Sequence, residues 1–120
     1  MPRLPSRTLP TIFALWSSLA HADTLHVRDV LPSAGAVLTG DHAEYVIRFD
    51  GLVDHMASRL YVTQSGRLVQ SLTPRRDSAP EVLFAGAETP PPGDYQLHWE
   101  AISVGDGTVS SGEIPFSVAP

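Results

Sequence analysis

Asp106 stands in the turn Gly105-Asp106-Gly107, between a segment that alternates Tyr95, Leu97, Trp99 and one that alternates Ile114, Phe116, Val118. A carboxylate in such a loop lies where side chains converge at the end of a sheet, although Asp-Gly is equally an ordinary turn pair. With Ser103 and His98 it would make up a Ser/His/Asp set. Nothing in the sequence positions a nucleophile or an oxyanion hole, so no enzyme is expected. Asp54-His55-Met56 is a mixed donor cluster, and a thioether with an imidazole favours copper(I). One such pair in a loop is thin support, and Asp41-His42 is thinner. His98 alternates away from the apolar face and reads as a solvated residue. Glu100 and Glu113 read as surface charges. His26, opposite in phase to Leu25 and Val27, reads either as an exposed strand histidine or as a ligand. Any imidazole ligand must be neutral, so metal binding would fail as pH falls through about 6.5.

Composition removes several function classes. The chain has no Cys, which excludes disulfide partners, thiolate zinc sites and cysteine nucleophiles. It has no Lys, and its eight basic residues are all Arg. Arg3 and Arg7 precede residue 20 and all thirteen acids follow it, so the remainder carries six Arg against thirteen acids, a net charge of −7. Without a basic patch, nucleic-acid binding is disfavoured.

Residues 1–20 have the layout of a signal peptide. Arg3 and Arg7 precede an apolar run, Leu9 to Leu19, that is too short to span a membrane, and small residues follow. Cleavage after Ala20 would expose His21 as the N-terminus; cleavage after Ala22 would expose Asp23. An uncleaved N-terminal anchor is the alternative. Residues 21–120 then form one small secreted domain that relies on its core alone.

The elements that must hold these residues are strands. Alternation or apolar runs mark 23–31, 44–49, 58–63, 68–72, 81–85, 95–102 and 113–118, separated by Gly- and Pro-rich turns. Residues 36–38 form a short apolar patch. About seven short strands with no helical periodicity predict an all-β, immunoglobulin-like antiparallel β-sandwich of Greek-key type. The predicted core is Val27, Tyr45, Ile47, Phe49, Leu60, Val62, Leu68, Leu83, Tyr95, Leu97, Trp99, Phe116 and Val118, with Trp99 at its centre.

Several blocks, in order, resemble one family. Leu31-Pro32-Ser33-Ala34-Gly35-Ala36-Val37-Leu38 is similar to S-x-P-A-x-G-A-x-L, and Val46-Ile47-Arg48-Phe49 is similar to a first core strand L-x-F. Leu60 to Arg67 resembles L-x-V-x-D-x-x-G-R. The longest block runs from Gly93 through Tyr95, Leu97, Trp99, Ser103 and Asp106 to Gly112 and Phe116-Ser117-Val118. It is similar to G-x-Y-x-V-x-W-x-x-x-S-x-D-G-H-x-x-x-G-x-x-x-F-x-V. These are patterns of the CopC-type periplasmic copper-resistance proteins.

The resemblance implies a periplasmic, monomeric copper-binding protein of copper homeostasis or resistance, with the copper ion as its ligand and an inner-membrane copper transporter as its partner. It also implies a copper(II) site built from a free N-terminal His and the Asp and His of S-x-D-G-H. Amine, imidazole and carboxylate together make a tetragonal N,O set that suits copper(II). Asp106 occupies the family's Asp position. Thr108 occupies its second His position, and a hydroxyl is a poor copper(II) ligand. One extra residue separates Ser103 from Asp106. Thr24 takes the usual N-terminal His position, with His21 three residues upstream. Met56 is the only Met after the signal, so the family's methionine-rich copper(I) loop is missing. The expected metal ligands are therefore His21, Asp106 and His26. The alternative is a sandwich that has lost metal and serves as an envelope interaction module.

Overall fold

The structure, a computed structural model, describes residues 24–120. The expected signal peptide, both candidate cleavage positions and His21 lie outside the described residues. Among the described residues eight strands make two sheets, against about seven expected. They are β1 Val27–Leu31, β2 Ala36–Leu38, β3 His42–Phe49, β4 Arg59–Gln64, β5 Arg67–Leu72, β6 Val82–Glu88, β7 Gly93–Ile102 and β8 Val109–Val118. One sheet runs β1-β3-β6, the other β2-β8-β7-β4-β5. The expected immunoglobulin-like sandwich is present. Its eighth strand is the 36–38 patch, which pairs parallel to β8 (Ala36 with Phe116, Leu38 with Val118) while every other strand pair is antiparallel.

The core lies between the inner faces. Tyr45, Ile47 and Phe49 of β3 and Leu83 and Ala85 of β6 face Leu60, Val62, Tyr95, Leu97, Trp99, Phe116 and Val118. Phe116 meets Tyr45 edge-on at 5.9 Å and stacks on Tyr95 at 5.7 Å. Phe49 meets Trp99 edge-on at 5.2 Å, across the two sheets. Trp99 pairs with Gly112, and a Cβ on Gly112 would lie 2.7 Å from Cζ2 of the indole.

Two predicted core residues are exposed. Leu68 is 64% exposed because β5 carries a bulge: Val62 pairs with Gln70 but Thr63 pairs with Leu68. The extra residue turns Leu68 to the outer face, while Leu72, beyond the bulge, is buried. Val27 is 38% exposed at the start of edge strand β1, next to a second bulge between Val27 and Asp29. Leu25 takes its place in the core.

The hydroxyls of two buried tyrosines meet different fates. Tyr95 donates to the Pro91 carbonyl and so ties the 89–92 connection to β7, the tyrosine corner of such sandwiches. The Tyr45 hydroxyl is buried with no hydrogen-bond partner, and burial pushes its pKa up to about 12.

Three variants separate these contributions in denaturant unfolding. Tyr95→Phe removes the bond to the carbonyl of exposed Pro91 and lowers stability by about 0.5–1.5 kcal/mol. Tyr45→Phe is neutral or stabilising, because the lost hydroxyl had no partner. Neutral Tyr45 supports the fold fully below the pKa of an unfolded tyrosine, about 10. That contribution is lost as pH rises through about 12, so Tyr45→Phe flattens the alkaline fall in stability. Gly112→Ala forces a Cβ onto a rigid indole and lowers stability by about 1–3 kcal/mol. A wild-type midpoint for Gly112→Ala would contradict the packing at Trp99.

Candidate functional site

The β7–β8 connection is a loop stitched on both sides. Ser103, 9% exposed, donates its amide to Thr108 O at 2.9 Å and accepts the Gly107 amide at 2.9 Å. Gly107 has φ +73°, a left-handed conformation that glycine adopts without strain. Ser103 also bridges to Val53, Val104 N donates to Leu52 O at 3.1 Å, and Asp54 N donates to Ile102 O at 2.8 Å. Buried Ser58 accepts the Ile102 amide on Oγ at 2.9 Å. The loop therefore rests against residues 52–54 and has little freedom of position.

Asp106 is exposed, and its Oδ1 accepts the Thr108 amide at 3.0 Å. That is the turn role of an Asp-Gly pair. Thr108 is half-buried and its carbonyl is held by Ser103.

The N-terminal segment is clamped beside this loop. Leu25 is buried against Gly51, and its amide reaches Ser110 Oγ at 3.2 Å, just after the loop. His26 and Asp50 then bind each other three times. The His26 amide donates to Asp50 Oδ1 at 2.9 Å, the Asp50 amide donates to His26 O at 3.0 Å, and Nδ1 lies 3.0 Å from Asp50 Oδ2. The bonds from His26, its backbone amide first, hold the Asp50 carboxyl below the usual carboxylate range. Thr24, Leu25, Asp50 and Gly51 line one side of a depression of about 270 Å³, and Ser103 and Gly105 line the other. Neither His26 nor Asp106 lines this depression, although each is next in sequence to a residue that does.

His55 and His98 are committed to the fold. Nε2 of His55 lies 2.8 Å from Val82 O and 3.1 Å from Ala79 O, so it donates to carbonyls and pins the 54–57 turn to the start of β6, while Met56 is 70% exposed. His98 points outward as its phase requires, but it is not simply solvated. Its ring stacks on Tyr61 at 5.0 Å, Nε2 lies 2.9 Å from Thr63 Oγ1, and Nδ1 lies 3.5 Å from Glu113 Oε2. These partners hold the ring on the sheet face rather than against Ser103. Strand register places Tyr61 and Glu113 opposite His98; alternation indicates a side chain's direction but not its neighbours. Asp50 is the residue that sequence reasoning missed at the site. Its one sequence signal was its place directly after the core strand, and its partner is 24 residues away. Among the described residues, no group of three or more His, Cys, Asp or Glu is close enough to hold a metal ion.

A family model described as the CopC domain matches residues 27–119. Among solved structures, CopC from Methylosinus trichosporium OB3b is similar at 26% identity and a TM-score of 0.67, over 81% of this chain and 95% of its own. An engineered protein aligns over 81% of this chain and 20% of its own, at 20% identity and a TM-score of 0.59, a likeness of fold alone. No curated protein matches the chain in sequence. The CopC match covers both sheets and the 103–108 loop, and on that ground the chain belongs to the CopC family.

Proposed function

We propose that this is a periplasmic copper-binding protein of copper homeostasis or resistance, exported by residues 1–20 and cut after Ala20. It acts as a monomer that exchanges its cargo with an inner-membrane copper transporter. Copper(II) is held by His21, His26 and Asp106. The observation that carries this reading is the meeting of the N-terminal segment with the Asp106 loop at one depression.

The donor chemistry is mixed. Copper(II) takes a tetragonal set of nitrogen and oxygen donors. His26 contributes an imidazole and Asp106 a carboxylate; a mature N-terminal His21 adds its amine and ring. Thr108 contributes no imidazole where the family pattern has one, so binding is weaker than a full set would give. No catalytic step is assigned.

The test is titration of mature protein beginning at His21 with copper(II), followed by d–d absorption and by the mass of the complex. Saturable one-to-one binding at micromolar copper is expected, declining as pH falls through the ordinary imidazole range near about 6.5. Asp106→Ala weakens binding, as does protein beginning at Asp23. Thr108→His adds an imidazole on the loop and tightens binding by on the order of tenfold or more. No saturable binding by the wild-type protein would reject the copper reading in favour of an interaction module that has lost its metal.

A further inference from the structure

We infer that the outer face of β4 and β5 docks an extended acidic segment of a partner protein, one in which carboxylates bracket an apolar side chain. The inference is independent of the copper reading.

The bulge in β5 builds this surface. Val62 pairs with Gln70 and Thr63 with Leu68, so Val69 is the extra residue and Leu68 stands on the outer face. Leu68 and Val69 are 64% and 40% exposed, on a face that a sandwich ordinarily gives to polar residues. Two depressions meet at Leu68. One, of about 470 Å³, is lined by Tyr61, Leu68 and Pro74 together with Arg59, Ser71 and Thr73. The other, of about 400 Å³, takes in Val69 and Arg67.

Charge selects the occupant. After residue 20 the chain carries thirteen acids against six Arg. Neither depression has an acidic residue in its lining, and each has one Arg. Arg59 and Arg67 take part in none of the ion pairs among the described residues. Glu100 is opposite Arg59 in the ladder, but it lines a separate depression with His98 and Glu113, on the other side of Tyr61. The surface is an apolar strip with two cations, complementary to carboxylates that flank an apolar group. Two copies set strip to strip would oppose like charges, so the fit is to another protein.

Spacing sets the length of the occupant. Arg67 pairs with Gln64, five residues along β4 from Arg59. At about 3.3 Å per residue, the two cations branch from points roughly 17 Å apart. Two carboxylates five residues apart in an extended chain match that span, and a small organic acid does not.

The strip is also preorganised, which lowers the cost of binding. The Tyr61 ring stacks on His98 with 4° between the planes, and His98 Nε2 lies 2.9 Å from Thr63 Oγ1. Beyond Pro74 the chain is tied down by Arg75, whose amide donates to Phe84 O at 2.8 Å. That bond covers the edge of β6. The edge of β5 is open: apart from its ladder with β4, its main chain bonds to no other backbone among the described residues. Such an edge accepts an extended segment.

The test is ¹H–¹⁵N NMR of the metal-free mature protein titrated with the acetylated, amidated peptide Asp-Thr-Leu-Thr-Thr-Asp. Saturable shifts centred on residues 59–74 are expected at about millimolar peptide or below, weakening as salt is raised. The same peptide with Asn for both Asp should bind less tightly. Arg59→Gln and Arg67→Gln should each weaken binding about two- to fivefold, and Leu68→Ser about tenfold. All three residues are exposed, so the variants should unfold at the wild-type midpoint. No saturable shift, equal affinity for the Asn peptide, or wild-type affinity in both Arg variants overturns the inference. Octanoate bound as tightly at the same amides overturns it in favour of a small amphipathic acid. The same shifts on concentrating the protein alone overturn it in favour of a second copy.

Discussion

Trp99 can be buried in this sandwich only because the residue opposite it is glycine. The indole lies where a side chain on Gly112 would stand, and its edge reaches Phe49 in the facing sheet. One aromatic residue thereby links β7, β8 and β3. Its position also sets the alignment of the longest hairpin, in which ten residue pairs run from Gly93–Val118 to Ile102–Val109. A slip of one residue would place Trp99 against a side chain and would turn the apolar set of one strand outward, either Tyr95 and Leu97 or Phe116 and Val118. In a domain with no disulfide, this packing is a large part of what selects a single register.

The site inherits its geometry from that hairpin. Because β7 and β8 are in register up to Ile102 and Val109, the six residues between them form one short loop, and its main chain is tied to residues 52–54. Buried serines do the tying: Ser58 takes the Ile102 amide and Ser103 closes the loop on itself. Polar groups in that region are satisfied, as buried groups must be. The N-terminal segment joins through Leu25 and the reciprocal His26–Asp50 bonds. Thr24 and Gly105, far apart along the chain, come to line one depression.

Where the sequence pattern was regular, the fold was legible from it. Alternation in β3, β4, β7 and β8 identified Tyr45, Ile47, Phe49, Leu60, Val62, Leu97, Trp99 and Phe116 as core, and all are buried. The two errors, Val27 and Leu68, both sit beside bulges. A bulge inserts one residue into a ladder without altering the local hydrophobic pattern, so alternation cannot reveal it. The parallel pairing of β2 was invisible for a related reason: three residues carry too little pattern to specify a partner. His98 was correctly directed outward, but Tyr61 and Glu113 beside it follow from register with two other strands.

What the sequence by itself determined is the strand content, most of the core, the absence of cysteine chemistry and the CopC-type frame around Asp106, including the Thr108 substitution. Those are properties of residue type and local spacing. Only the tertiary structure decided which residues meet: that Asp50 pairs with His26, that Leu25 fills the place expected of Val27, and that Thr24 and Leu25 lie beside Ser103 and Gly105. These contacts join positions far apart along the chain. They depend on how two sheets stack and where each ladder shifts, and that information belongs to the packing of the whole domain rather than to any segment of it.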